Sequence, residues 1–198
     1  MNKLITIVGA SGVGKTALVE ALSKTGRFAI AYEQHEERPF QALFKKDPRF
    51  ALANQIDYLL LRAEQERTLR ASTQMGLLDG GLDLDFHGFT RLFHSRGLLT
   101  DAEYDLCRRT YAFIRESLPP PELIVRLCAD ETTVANRLSA RDRINIANAE
   151  DTALFNSYMD EWIASMPSEQ ILEQDVVHES LGYEKSIDVI LNRIASIP

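Results

Sequence analysis

The segment Gly9-Ala10-Ser11-Gly12-Val13-Gly14-Lys15-Thr16 constrains this chain more than any other. It spells Gly-x4-Gly-Lys-Thr and lies between an apolar, β-rich run, Leu4 to Val8, and a stretch of helical character from Ala17 to Leu22. Strand, glycine loop and helix in that order open a βαβ unit, the context a phosphate-binding loop requires. Glycines at 9, 12 and 14 let backbone N–H groups turn inward around phosphate oxygens, and the helix starting near Lys15 adds the positive end of its dipole. Lys15 is expected at the β- and γ-phosphates of a nucleoside triphosphate, and the Thr16 hydroxyl at a Mg2+ ion. A glycine loop that merely turned the chain would account for the glycines but not for Lys15-Thr16.

The remaining pattern alternates strands and helices. Phe28 to Tyr32 reads as a second strand ending in the polar run Glu33-Gln34-His35-Glu36-Glu37-Arg38, and Phe40 to Phe44 as a short helix. Phe50 to Thr73 predicts a long helix with Ile56, Leu59, Leu60 and Ala63 on one apolar face. Met75 to Asp79 reads as a buried strand ending in a carboxylate, and Phe86 to His94 as helical. Thr100 as N-cap with Glu103 closing a capping box predicts a helix that runs to about Leu118, before Pro119-Pro120-Pro121. Leu123 to Cys128 is a fourth buried strand, with Cys128 expected in the core. Helices are expected over Glu131 to Leu138, Asp151 to Ala164 and Tyr183 to Ala195, with a last strand at Ile171 to Val177. The class is α/β: a mostly parallel sheet of about five strands flanked by helices, in one domain spanning residues 1–198.

Charge narrows the partners. The 29 acidic against 22 basic residues leave a formal net charge of −7, a surface that repels polyanions and speaks against a nucleic-acid or membrane-surface binder. Cys107 and Cys128 make neither a disulfide framework nor a metal site by their spacing. No apolar run reaches membrane-spanning length, and Leu4 to Val8 is too short for a signal peptide, so a cytoplasmic location is expected.

In open α/β sheets ligands bind beyond the carboxyl ends of the strands. Glu33, after the second strand, suits a base that takes a proton from a substrate hydroxyl, with Glu36 and Glu37 near enough to compete; Asp79, after the third, suits a Mg2+ ion or its waters. Arg137, Arg141 and Arg143 cluster in an otherwise acidic chain, and the first two share a helix face. Their guanidinium groups suit a transferring phosphoryl group and read as an arginine lid over about 137–149.

Together these residues resemble the deoxynucleoside kinase family, its deoxyadenosine/deoxyguanosine kinase branch in particular, from Ile5 to about Trp162. Tyr32-Glu33-Gln34 with Pro39-Phe40 and Phe44 to Arg49 is similar to the family's glutamate-base segment, and Asn136-Arg137-Leu138 to Arg141-Asp142-Arg143 to its lid. The resemblance implies a P-loop kinase fold and Mg2+-assisted transfer from ATP, or another triphosphate, to the 5′-hydroxyl of a deoxynucleoside. It makes Glu33 the base, sets Lys15, Arg137 and Arg141 on the phosphoryl group, and places Arg143 with residues 9–16 on the nucleotide. Gln55 would read the base edge, Arg62 and Asp85 would pair in the base pocket, and Phe86 or Phe89 would stack nearby. It also implies a homodimer. One departure stands out: where the family has an acid, an arginine and a serine, this chain has Asp79-Gly80-Gly81. A kinase for another small acceptor, such as a nucleoside monophosphate, and a non-catalytic nucleotide-binding or regulatory protein are the alternatives.

Overall fold

The structure is a computed structural model that describes residues 2–32, 37–130, 132–134, 137, 149–180 and 182–197. Strands β1 (Leu4–Val8), β2 (Phe28–Ala31), β3 (Met75–Asp79), β4 (Leu123–Cys128) and β5 (Ile171–Asp175) form one parallel sheet in the order β2-β3-β1-β4-β5. Central β1 is apolar on both sides because helices cover both faces of such a sheet. Ile5 and Ile7 pack with Leu18 and Leu22 of helix α1 (Lys15–Ser23), while Leu4 packs with Leu69 and Leu78. Val8 and Ile124 meet Phe155, Met159 and Trp162 on the other side.

The helices between the strands are α2 (Pro39–Phe44), α3 (Ala51–Ala71), α4, α5 (Asp101–Ser117) and α6 (Ala149–Ala164), with α7 (Glu184–Ala195) last. Here α4 stands for three contiguous turns, Leu82–Leu84, the π-helical Asp85–Thr90 and Arg91–Ser95. Single π-turns inside helices are frequent at functional sites. At the start of α5 the Thr100 hydroxyl accepts from the Glu103 N–H and the Glu103 carboxylate accepts from the Thr100 N–H, at 3.3 and 2.7 Å, the expected capping box.

Two expectations about side-chain burial are corrected. Leu60 is not on the packed stripe of α3: it is 50 % exposed, and that helix buries Asn54, Gln55, Arg62, Glu66 and Arg70 beside its leucines. The fully buried cysteine is Cys107, whose thiol burial pushes up to about 11; Cys128 is only half-buried.

Candidate active site

The phosphate loop closes β1 into α1. Gly9, Gly12 and Gly14 all take positive φ (142°, 83° and 112°), which L side chains resist. Lys15 folds over the loop, Nζ donating to the Gly9 and Ala10 carbonyls at 3.0 and 3.1 Å. The Thr16 hydroxyl donates to Asp79 Oδ2 at 2.6 Å, which joins the start of α1 to the end of β3. Arg137 reaches the same loop, donating from Nη1 to the Val13 carbonyl at 2.6 Å and from Nη2 to the Val176 carbonyl at 2.9 Å.

A second feature lies where α3 meets α4. A cavity of about 80 Å3 is lined by Gln41, Asn54, Gln55, Tyr58, Asp85, Phe89 and Phe93. Two rings and a tyrosine beside amides and a carboxylate suit a flat, polar-edged ligand, since an amide offers a donor and an acceptor side by side. Asn54 Oδ1 is buried there with no hydrogen-bond partner among the described residues.

Arg62 connects the two features. Its Nε donates to Asp85 Oδ2 at 2.7 Å, and its Nη1 to the Asp79 carbonyl and to Gln65 Oε1, both at 3.1 Å. Gln65 in turn donates to the Tyr32 carbonyl at 3.2 Å, beyond the end of β2. One buried guanidinium thus ties the carboxyl ends of two strands to the cavity wall, which is where a doubly wound sheet places its ligand.

Comparison with known proteins agrees with this geometry. The profile of the family described as Deoxynucleoside kinase matches residues 5–196. The chain belongs to the deoxynucleoside kinase family. Members of that family are phosphotransferases, and this one keeps the fold. A curated relative, deoxyadenosine/deoxycytidine kinase of Bacillus subtilis (strain 168), is 24% identical over 207 residues, covering 99% of this chain and 93% of the relative. Deoxyadenosine kinase of Dictyostelium discoideum is 26% identical over 140 residues, covering 70% of this chain and 57% of that one. Among solved structures, deoxyadenosine kinase from M. mycoides with bound dCTP superposes with a TM-score of 0.80 at 21% identity, covering 98% of this chain and 100% of that one.

At position 80, where the family resemblance implies an arginine, the glycine takes a backbone conformation that L side chains rarely adopt. Gly80 has φ +82°, and a Cβ there would stand 3.2 Å from Arg62 Nη2. The space beside β3 is thus bordered by the guanidinium that α3 supplies. Of Phe86 and Phe89, either of which the resemblance sets beside the base, Phe89 lines the cavity, while the Phe86 ring stacks on Tyr111 at 4.3 Å. Glu33, Arg141 and Arg143 lie outside the described residues, as do all but residues 137 and 149 of the expected lid.

Sequence reasoning missed four residues that line the cavity, Gln41, Asn54, Tyr58 and Phe93. Tyr58 follows Gln55 by three residues and Asn54 by four on α3, spacings that share a helix face, so the helix that carried the glutamine already held a signal for them.

Behind α4, away from the cavity, lies a second polar group. Arg115 on α5 donates to Glu66 Oε2 and Asp83 Oδ2, both at 2.8 Å, and the Tyr111 hydroxyl donates to Asp83 Oδ1 at 2.6 Å. His87 lies 3.3 Å from that hydroxyl and stacks on Trp162 with ring centres 5.3 Å apart. Burial holds its imidazole down at about 4, so the ring is neutral near pH 7.

Proposed function

We propose that this chain transfers the γ-phosphoryl group of ATP, or of another nucleoside triphosphate, to the 5′-hydroxyl of a deoxynucleoside. The observation that carries the reading is Arg62, which links the strand end at the phosphate loop to the cavity beside Gln55. A triphosphate at one end and a nucleoside at the other then meet across the strand tips. The names of the curated relatives, deoxyadenosine and deoxycytidine kinases, supply the acceptor class.

In this reading Gln55 and Phe89 hold the base, Arg62 and Asp85 keep the pocket's charge balanced, and Glu33 takes the proton from the sugar hydroxyl as it attacks. Lys15, Arg137 and Arg141 stabilise charge that spreads over the phosphoryl oxygens, and Arg143 joins residues 9–16 on the nucleotide. Thr16 and Asp79 fit Mg2+ and would hold it: a hydroxyl and a carboxylate oxygen drawn together at 2.6 Å are hard donors of the kind that ion takes. A Mg2+ ion held there would supply positive charge against the phosphates. Loss of turnover on Mg2+ removal, recovered on its return, is the expected result.

Coupled ADP release over a panel of deoxynucleosides tests the reading. Glu33→Gln is expected to abolish turnover with ATP affinity retained. A wild-type chain that binds ATP but shows no nucleoside-stimulated turnover would remove it. Gly80 is the observation behind the non-catalytic alternative, which predicts nucleotide binding by calorimetry with transfer to no acceptor. A nucleoside monophosphate turned over in preference to the nucleosides would support the other kinase reading.

The family resemblance and the exposed apolar side chains of α3 and α5 support a homodimer. Leu60 is 50 % exposed and Phe113 71 %, beside a groove of about 570 Å3 that they line with Ala63, Arg67 and Leu118. Sedimentation is expected to show a dimer that Phe113→Glu converts to monomer.

A further inference from the structure

Thr90 ends the π-turn of α4 and is fully buried behind Gln55. Its Oγ1 stands 2.9 Å from Gln55 Oε1 and 3.0 Å from the backbone carbonyl oxygen of Asp85. A hydroxyl has one proton to donate. With the Gln55 oxygen nearest, two acceptors compete for that proton and one is left facing lone pairs in a buried place, at a cost. Turning the carboxamide by 180° exchanges its oxygen and nitrogen, which occupy nearly the same volume. Nε2 then donates to Thr90 Oγ1, Oγ1 donates to the Asp85 carbonyl, and every group is satisfied. Gln55 makes no other hydrogen bond among the described residues, so no contact there opposes the turn.

We propose that Thr90 is a specificity-determining residue, because it fixes the orientation of the Gln55 carboxamide and so the order in which an acceptor and a donor face the cavity. The proposal rests on the reading of that cavity as the nucleobase site. With one N–H of Nε2 held by Thr90, Oε1 and the second N–H present one side-by-side edge. Bases carrying an exocyclic amine beside an unprotonated ring nitrogen pair with it: the amine donates to Oε1 and the ring nitrogen accepts from N–H. A base carrying a carbonyl beside a ring N–H, seated the same way, sets oxygen against oxygen and N–H against N–H. Reading it requires the amide to turn back, and Thr90 then again faces two acceptors.

Deoxyadenosine against deoxyinosine, and deoxycytidine against deoxyuridine, differ mainly along that edge, and the ratio of kcat/KM within each pair is the readout. Wild type is expected to favour the amino member of each pair at least tenfold. Thr90→Val, which keeps the shape and removes the hydroxyl, is expected to reduce each ratio by about ten- to a hundredfold. Thr90→Ser, which restores the hydroxyl, is expected to keep it. Thr90→Ala cannot overpack and replaces the valine variant should that fail to fold. A merely structural role would lower both members of a pair together and leave the ratio unchanged. An unchanged ratio in Thr90→Val or Thr90→Ala, a ratio lost in Thr90→Ser, or a wild type that treats paired bases alike overturns the proposal. If wild type binds the nucleosides without turning them over, the kinase reading fails instead, and the same ratios in Kd decide the role of Thr90. Binding of none of the four overturns both.

Discussion

Arg62 and Asp85 hold each other across the seam of α3 and α4, Nε to Oδ2 at 2.7 Å, with 2 % and 6 % of their side chains exposed. Burying two charges is costly, and such a pair adds little against an apolar substitute, but removing one partner takes a close charged contact from the other in low dielectric. Asp85→Ala is therefore expected to lower the unfolding free energy by about 3–5 kcal/mol. The double variant Arg62→Met with Asp85→Leu is expected to regain most of that loss while turnover stays lost, because the strand-end contacts of Arg62 go with it. Urea midpoints read the stability. A single variant that loses less than about 1 kcal/mol would show the pair to be solvated in solution.

Gly80 invites an experiment whose obvious expectation the backbone reverses. An arginine in that position is what the family pattern would restore, yet φ +82° costs an L side chain about 1–2 kcal/mol, and its Cβ would press on the Arg62 guanidinium at 3.2 Å. Gly80→Arg is expected to lower stability by that amount and to give no rise in kcat. A large gain in turnover would mean that the turn after β3 adopts another backbone path and that the site is a degraded version of the family's.

The strands were legible because the sheet is covered on both faces: Leu4 to Val8, Met75 to Asp79 and Leu123 to Cys128 are apolar runs that end where the pairing ends. The capping box at Thr100 was legible because it is entirely local. The inward face of α3 was not. Three of its buried charged residues pair with partners distant in sequence: Arg62 with Asp85, Glu66 with Arg115 and Arg70 with Glu122. Apolar periodicity therefore pointed to Leu60, which faces out. The π-turn hid the rest, because i→i+5 spacing shifts which of Phe86 and Phe89 reaches the cavity. Gln55 was identified by family resemblance, whereas Thr90 enters only through the contact that folding brings about.

His87 ties acid stability to the back of α4. Desolvation lowers its affinity for a proton, and the positive Arg91 and Arg115 lower it further, against an opposing pull from Asp83. With about 4 in the folded chain and about 6.5 unfolded, the unfolded state binds more protons between those values. The contribution is fully present above pH 6.5, declines as pH falls through that window and levels off below 4, by at most about 3 kcal/mol. His87→Phe keeps a ring on Trp162 and does not titrate. Unfolding free energies at pH 7, 6, 5 and 4 are expected to show wild type losing stability relative to His87→Phe as pH falls. Parallel curves would mean that His87 titrates as an ordinary exposed histidine.

Gly88 tests how closely α6 must approach the π-turn. On helix propensity alone Gly88→Ala gains about 1 kcal/mol. Packing argues the opposite: a Cβ there would lie 2.4 Å from Phe155 Cε2 and 2.7 Å from its Cζ, on a rigid ring with core residues around it. Overpacking of that kind costs about 1–3 kcal/mol, so the packing term wins and the variant melts at lower temperature. Phe155 also touches Phe89, ring centres 4.9 Å apart, and Phe89 lines the cavity. The displaced ring is thus expected to raise KM for the nucleoside several-fold while KM for ATP holds. Adding Phe155→Leu, which removes the clash, is expected to recover the melting temperature in part, and a stabilised Gly88→Ala would show that α6 yields without cost.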